Sequence, residues 1–406
     1  MDILSSSEPT MSKIFTSSSL SIAAVFLCII VSSAFLLKPT SAMAAVEHPQ
    51  RTVFGSKVTI EIDNESFPSE KEIESMDETL PGCQHGYFES SSKSHENAQL
   101  HYRYWLPEGD VKGVAIFFHG INSHTGRGLV LDGRKLSFSL MSDQFLQHGI
   151  ALYCLDQYGH GFSEGSRFLI KKWESNKQDC IDFTNFIAEQ HGASEKTPLF
   201  LAGESFGGCL AIHTAKHFQD NNNADTTTTP AGKMFDSILL SAPAIYADLP
   251  GFPVYQILRY IVAPLIPKRR PFFMPHPITP DRIWRDQGAR EHFTSDNYQK
   301  YGLGEAGKKL RLGTALGCVV AMENACNHVI PQVSSPFCII HGTKDEGVPI
   351  AGSEFMMKTA VTLEQDKELH AMEGTTHDVM CDPLAEEAVG YWMKFVKRRV
   401  EKRSLR

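Results

Sequence analysis

Gly203-Glu204-Ser205-Phe206-Gly207 follows the apolar run Pro198-Leu199-Phe200-Leu201-Ala202 and precedes Gly208-Cys209-Leu210-Ala211-Ile212-His213, which reads as the start of a helix. In that strand–turn–helix context a serine sits on a sharp, strained corner and projects its Oγ above a parallel sheet. Glycines two positions before and after let the backbone pass itself without Cβ clashes. The helix that begins there aims free N–H groups at any oxyanion forming nearby. G-x-S-x-G alone recurs by chance in long chains, so the reading depends on partners.

An acid and then a histidine follow in chain order. Phe337-Cys338-Ile339-Ile340-His341-Gly342 has the pattern of a buried strand, and Asp345 lies just past its end in Thr343-Lys344-Asp345-Glu346-Gly347. Glu346 competes for the same role but reads as the solvated side of that loop, so Asp345 ranks ahead. Glu368-Leu369-His370-Ala371-Met372 predicts one more strand, followed by the loop Gly374-Thr375-Thr376-His377-Asp378 and a closing helix over 384–399. Of 17 histidines, His370 falls inside a predicted strand and His341 precedes a turn glycine, whereas His377 sits in the loop after the last strand. A serine hydroxyl needs an imidazole to take its proton, and the imidazole needs a carboxylate to fix its tautomer.

An oxyanion needs two donors. The first expected is the Phe206 N–H, directly after the serine. The second is expected from the loop after the strand Gly113-Val114-Ala115-Ile116-Phe117-Phe118, which continues His119-Gly120-Ile121-Asn122-Ser123-His124-Thr125-Gly126-Arg127. Ile121 N–H is the candidate, with Asn122 the alternative. His119 reads as structural; His124 and Arg127 read equally as loop organisers or as ordinary polar loop residues.

A further strand, Ile150-Ala151-Leu152-Tyr153-Cys154-Leu155, runs into Asp156-Gln157-Tyr158-Gly159-His160-Gly161-Phe162-Ser163-Glu164-Gly165. With this run, the His119-Gly120 pair, G-x-S-x-G-G ending at Gly208, the H-G-x-x-D of His341 to Asp345 and the G-x-x-H-D of Gly374 to Asp378, the chain resembles the monoacylglycerol lipase-like, lysophospholipase-like branch of the α/β-hydrolases (serine aminopeptidase S33-type, "hydrolase 4"), which also includes plant caffeoylshikimate esterase-like enzymes. The motifs cover roughly 85–400 in the family's order. The resemblance implies an α/β-hydrolase fold: a mostly parallel central sheet flanked by helices, with an inserted helical cap. It carries the triad roles to Ser205, Asp345 and His377, in agreement with the independent reading, and calls for no cofactor or metal. Asp156, His160 and Ser163 read as turn-forming residues behind the site. The sequence departs from the family's pattern after the acid, at Glu346 to Pro349, and after His119-Gly120, where Ile121-Asn122 replaces small residues and is expected to narrow the acyl pocket.

Composition fits a globular enzyme. Charged residues make up 21% and the net charge is −8, with no basic block of the kind nucleic acid requires. No internal repeat or metal-type Cys/His spacing stands out, and nine scattered cysteines imply no disulfide framework. The expected division is 1–44 signal peptide or membrane anchor, 45–82 polar N-terminal linker or extension, 83–243 and 336–406 the two parts of the hydrolase core, and 244–335 the cap.

Leu20 to Leu37 is uncharged, with Lys13 before it and Lys38-Pro39 after. As a helix it spans about 27 Å, just short of a hydrocarbon core of roughly 30 Å, so it reads as an anchor or a signal-peptide core. Cleavage sites of small residues lie at 42–44 and 33–34, and Met11 is an alternative start. The location expected is a membrane or the secretory pathway, with a bipartite plastid signal ending before Phe35 as the alternative. The run 220–230 is a low-complexity surface insertion. In the cap stretch, Phe252 to Pro267 is apolar and is followed by Lys268-Arg269-Arg270-Pro271-Phe272-Phe273, a pattern that suits a membrane surface, an acyl tunnel or ordinary lid core.

The function expected is a serine hydrolase acting on carboxylic esters of lipids, monoacylglycerol or lysophospholipid, through an acyl-enzyme on Ser205. Alternatives are an esterase for small or phenolic esters, an acyltransferase using the same triad, and a silent ligand-binding scaffold; the last is usually marked by loss of the serine or histidine, and neither is lost.

Overall fold

A computed structural model describes residues 50–59, 68–223, 229–247, 249–272, 276 and 278–405. The apolar run 20–37, both cleavage sites, the Met11 start and 224–228 of the low-complexity insertion lie outside the described residues. The strands are β1 Gln50–Val53, β2 Ser56–Thr59, β3 Gln84–Glu89, β4 Gln99–Trp105, β5 Gly113–Phe118, β6 Gly128–Leu131, β7 Arg134–Ser137, β8 Ile150–Leu155, β9 Leu199–Glu204, β10 Phe235–Ser241, β11 Phe337–Gly342 and β12 Lys367–Met372. Helices of seven residues or more are α1 Glu70–Met76, α2 Phe138–Gln147, α3 Trp173–Gln190, α4 Phe206–Asn223, α5 Gln287–Ser295, α6 Leu312–Asn324, α7 Ala351–Thr359 and α8 Ala385–Ser404.

Eight strands form one sheet in the order β12-β11-β10-β9-β5-β8-β4-β3. Pairing is parallel from β12 to β8 and antiparallel where β4 and β3 join the edge. Strands β5, β8, β9, β10 and β11 are buried at every position, which is why they read as unbroken apolar runs. Successive side chains alternate between two cores. Val114, Ile116, Leu199 and Leu201 pack under α3 and α4 through Ile181, Phe183 and Leu210. Ala115, Phe117, Phe200 and Ala202 pack under α2 and α8 through Met141, Phe145, Val389 and Trp392. The parallel strands present their C-terminal ends on one edge, where the loops carrying Ile121, Ser205, Asp345 and His377 emerge. The closing helix outruns its expected end at 399, because Arg399 and Arg403 both bind the Asp236 carboxylate at the start of β10.

Between β10 and β11 the chain leaves the sheet through short helical turns, α5 and α6. Helix α6 buries Cys318, Ala321 and Met322 in the first core, while Trp284 and the α5 residue Phe293 enter the second. Several apolar side chains of the stretch face solvent, among them Phe252, Tyr260, Leu265 and Phe272, the last 85% exposed. No helix among the described residues is long and apolar enough to cross a membrane.

The N-terminal stretch expected as a polar linker or extension folds onto the core where it is described. Phe54 (φ 48°) and Gly55 (φ 81°) make the two-residue turn of a β1–β2 hairpin, with both residues in the left-handed region a primed turn needs. Ser69 and Glu72 form a reciprocal capping box at the start of α1. Val53, Val58, Ile73 and Met76 are buried against Phe162, Tyr298, Tyr301 and Leu303. Four spaced apolar residues suffice for this docking and are diluted by the polar composition around them. Ile73→Ala is therefore expected to cost about 2–5 kcal/mol, read as a lower denaturant midpoint; an unchanged midpoint would place the segment outside the cooperative unit.

Candidate active site

Ser205 occupies the corner between β9 and α4 with φ 54°, a left-handed conformation that a β-carbon makes costly. Neighbouring backbone holds it there. Its N–H donates to Ser241 O at 3.0 Å, and its C=O accepts the Ala244 N–H at 2.8 Å. A Cβ on Gly203 would lie 2.4 Å from Gly207 O, and one on Gly207 would lie 2.0 Å from Phe118 O, so the corner closes only with glycine at both places.

Asp345 is fixed from both sides. Its Oδ1 accepts the Gly347 and Val348 N–H groups at 2.9 and 2.8 Å. Its Oδ2 accepts from His377 Nδ1 at 2.6 Å and faces His341 Nε2 at 3.2 Å. His341 is itself tied through Nε2 to Val348 O at 2.9 Å and through Nδ1 to Ser353 Oγ at 2.8 Å. Both of its Nε2 contacts are acceptors, so Nε2 carries the hydrogen and Ser353 donates to Nδ1. Glu346, the rival acid, points to solvent and pairs with Arg282 at 3.2 Å.

Ser205 and His377 line one small cavity of about 30 Å³ with Gly120, Ile121, Ser123, Arg127, Glu204 and Trp284. A second cavity, of about 190 Å³, opens on Ser205, Phe206 and Ile121 and runs between apolar side chains such as Leu258, Leu312, Leu316, Val319 and Met322. The residues expected for nucleophile, acid, base and oxyanion donors thus converge on one place. The Asn122 C=O accepts the Glu305 N–H at 2.9 Å and its Nδ2 donates to Lys308 O at 3.2 Å, so its carbonyl and side chain are tied to the 305–308 turn.

The surrounding turns are built as expected. His119 donates through Nδ1 to Gly120 O at 2.7 Å and accepts the Gln157 N–H on Nε2 at 3.0 Å. Asp156 accepts the Thr125 N–H at 2.7 Å and the Phe162 N–H at 3.1 Å, so it ties two loops together. His124 stacks on Tyr298 with centroids 3.7 Å apart. Loop organiser is thus the reading that holds for His124.

Arg127 does more than an ordinary loop residue. Its guanidinium donates to Glu204 Oε1 at 2.8 Å, to Ser123 Oγ at 3.2 Å and to Asp378 Oδ2, which also accepts from Trp284 Nε1 at 2.7 Å. Sequence reasoning missed Glu204, Asp378, Trp284 and His341 as parts of this neighbourhood. Two of them flank Ser205 and His377 directly, the one signal in the chain that could have raised them.

Burial pushes the Glu204 carboxyl up, against the opposing pull of Arg127. For His377, burial disfavours the cation, but Asp345, followed by Glu204 and Asp378, outweighs it and raises the imidazole above its ordinary range. Asp345 is held far below the usual carboxylate range: burial opposes this, and His377 and His341 overcome it. Chemically, this is a hydroxyl on a strained backbone corner that shares a cavity with an imidazole whose cation is stabilised by a fixed carboxylate.

The family model Hydrolase_4, described as serine aminopeptidase, S33, matches residues 109–384. The chain belongs to that family. The chain is similar to human monoglyceride lipase at 26% identity over 276 residues, covering 68% of this chain and 78% of the relative. It is 23% identical over 282 residues to a monoacylglycerol lipase of Mycolicibacterium smegmatis, covering 70% and 87%. A Dictyostelium discoideum abhydrolase domain-containing protein aligns at 26% over 74% of this chain but only 28% of its own length. In fold the chain is similar to a soluble variant of the Saccharomyces cerevisiae monoglyceride lipase, with a TM-score of 0.58 at 19% identity, covering 79% of this chain and 94% of that one. The Paleococcus ferrophilus monoacylglycerol lipase superposes with a TM-score of 0.55 at 20% identity, covering 75% and 99%. The α/β-hydrolase fold follows from the family and from these likenesses together.

Removing the His341 donor leaves Asp345 a stronger acceptor for the His377 cation. In His341→Phe, the His377 titration followed by NMR is expected to move further up in pH. A downward shift or none would mean that His341 does not act on the carboxylate.

Proposed function

We propose that this Hydrolase_4 member is a serine hydrolase that cleaves carboxylic esters of lipids, with monoacylglycerol or lysophospholipid as substrate. The observation that carries the reading is the apolar cavity opening on Ser205. Each acyl methylene buried there contributes about 0.8 kcal/mol before the costs of binding, which favours long chains over short ones.

In this mechanism Ser205 Oγ attacks the acyl carbonyl while His377 takes its proton. The carbonyl oxygen becomes an anion against the Phe206 and Ile121 N–H groups; loss of one such donor typically costs about a hundred- to a thousandfold in rate. His377 then protonates the leaving alcohol, and the acyl group stays on Ser205. Water attacks the acyl-enzyme, His377 again serving as base, and the fatty acid leaves. Asp345 holds His377 in the tautomer with Nδ1 protonated throughout. The stretch between β10 and β11 acts as the cap over this chemistry. We place the protein at a membrane or in the secretory pathway on the strength of the 20–37 run, with the plastid as the alternative.

The test is hydrolysis of monoacylglycerols, lysophospholipids and soluble phenolic esters of graded chain length, with Ser205→Ala as control. Rates are expected to climb with chain length and to fall about a millionfold in the variant. Activity confined to short or phenolic esters would sink the lipid reading.

The exposed Tyr260 and Leu265, beside Lys268 and Arg269, suit insertion at an anionic membrane surface. The double variant Tyr260→Asp, Leu265→Asp is expected to lose about tenfold or more in binding to phosphatidylserine-containing vesicles while retaining turnover of soluble esters. Equal vesicle binding would remove the cap from the membrane contact.

A further inference from the structure

Away from the serine, a line of ionisable side chains joins the N-terminal segment to the sheet. Asp77, at the end of α1, faces His85 Nε2 through Oδ2 at 2.9 Å. His85 Nδ1 lies 3.0 Å from His101 Nε2, and His101 Nδ1 lies 2.7 Å from Asp156 Oδ2. Three contacts need three hydrogens, and two neutral imidazoles carry two. The inner contact, between fully buried His101 and Asp156, has the strongest claim on one of them, because it is a charge-assisted bond with no water to replace it. His85 Nδ1–H then serves His101 Nε2. What remains is a lone pair on His85 Nε2 pointed at a carboxylate oxygen.

Counting charge gives the same deficit. Arg103 donates to Asp77 Oδ1 from Nη2 at 3.0 Å, and its Nη1 lies 3.9 Å from Asp156 Oδ2. One guanidinium therefore faces two buried or half-buried carboxylates, leaving one negative charge in excess. A third proton on the imidazoles would cancel it.

A metal ion is the other way to close both counts. Cys83 brings its Sγ to the open end of the line, where single ligand atoms of Asp77, Cys83 and His85 all lie within 4.8 Å of one another. We propose that Asp77, Cys83 and His85 form a binding site for a zinc-class divalent cation. Two positive charges and one thiolate add the single positive charge that the cluster lacks. One thiolate, one imidazole and one carboxylate make a donor set suited to a borderline-soft dication. All three residues line a broad cleft of about 880 Å³, which leaves a fourth position for water. The ligating imidazole is oriented from behind by His101 and Asp156, the arrangement that fixes the tautomer of metal-bound histidines. A coordinated ion deprotonates a thiol outright. Bound there, the cation would pin the N-terminal segment to β3 and, through Asp156, to the loop that carries Ile121.

Titration of the purified full-length protein with cobalt(II) as spectroscopic probe, followed by zinc displacement, tests this. One equivalent is expected, with a thiolate-to-cobalt charge-transfer band that zinc abolishes and a higher thermal midpoint in zinc. The band should vanish in Cys83→Ser and survive in Cys338→Ser, which removes the other Cys/His/carboxylate group among the described residues, Cys338 with Glu368 and His370. Should Cys83→Ser fold poorly, His85→Gln carries the test, with affinity expected to fall more than about tenfold. No band in the unmodified protein, a band that persists in Cys83→Ser, or unchanged affinity in His85→Gln would overturn the site.

Discussion

Everything at the functional edge of this molecule depends on one strained corner. Ser205 is held in the left-handed region, where a non-glycine residue costs on the order of 1–3 kcal/mol. The surrounding backbone over-determines it: Ser241 and Ala244 clamp its N–H and C=O, and Gly207 passes beneath β5 at a distance no side chain tolerates. The parallel sheet supplies the rest by bringing the ends of β5, β9, β11 and β12 to one edge. A hydroxyl on a rigid corner needs no rearrangement to meet partners delivered by neighbouring strands, so strain at one residue becomes preorganisation of the whole site.

Electrostatics completes the arrangement. Asp345 is saturated with donors: two backbone N–H groups on one oxygen and two imidazoles at the other. The second imidazole, His341, competes with His377 for the same carboxylate oxygen. Beside them Arg127 sits between Glu204 and Asp378, one positive charge against two negative ones. The residual negative field falls on His377 and favours its cation. Buried ion pairs contribute little to stability on their own; here their consequence is where they set an imidazole.

The sheet, the order in which its strands deliver serine, aspartate and histidine, and the gathering of Ser205, Asp345 and His377 were legible because each rests on a contiguous pattern. Strands buried on both faces read as unbroken apolar runs, and turn motifs repeat at fixed spacing. What stayed hidden is what only folding pairs. Arg127 meets Glu204 and Asp378 across the sheet edge, and no local feature of a loop arginine announces that. His341 looked like a residue before a turn, yet its ring lies against the acid. The N-terminal hairpin and α1 were concealed by composition, since Val53, Val58, Ile73 and Met76 are few among polar neighbours. The Asp77–His85–His101–Asp156 line joins four elements and has no sequence spacing to recognise.

Passage of an acyl group through Ser205 is tested by mass spectrometry of the protein quenched in acid during turnover of a long-chain acyl ester. An acyl adduct on the peptide containing Ser205 is expected to appear within the first turnover and to decay as substrate is exhausted. Ester consumption with no adduct, or with an adduct on another residue, would contradict it.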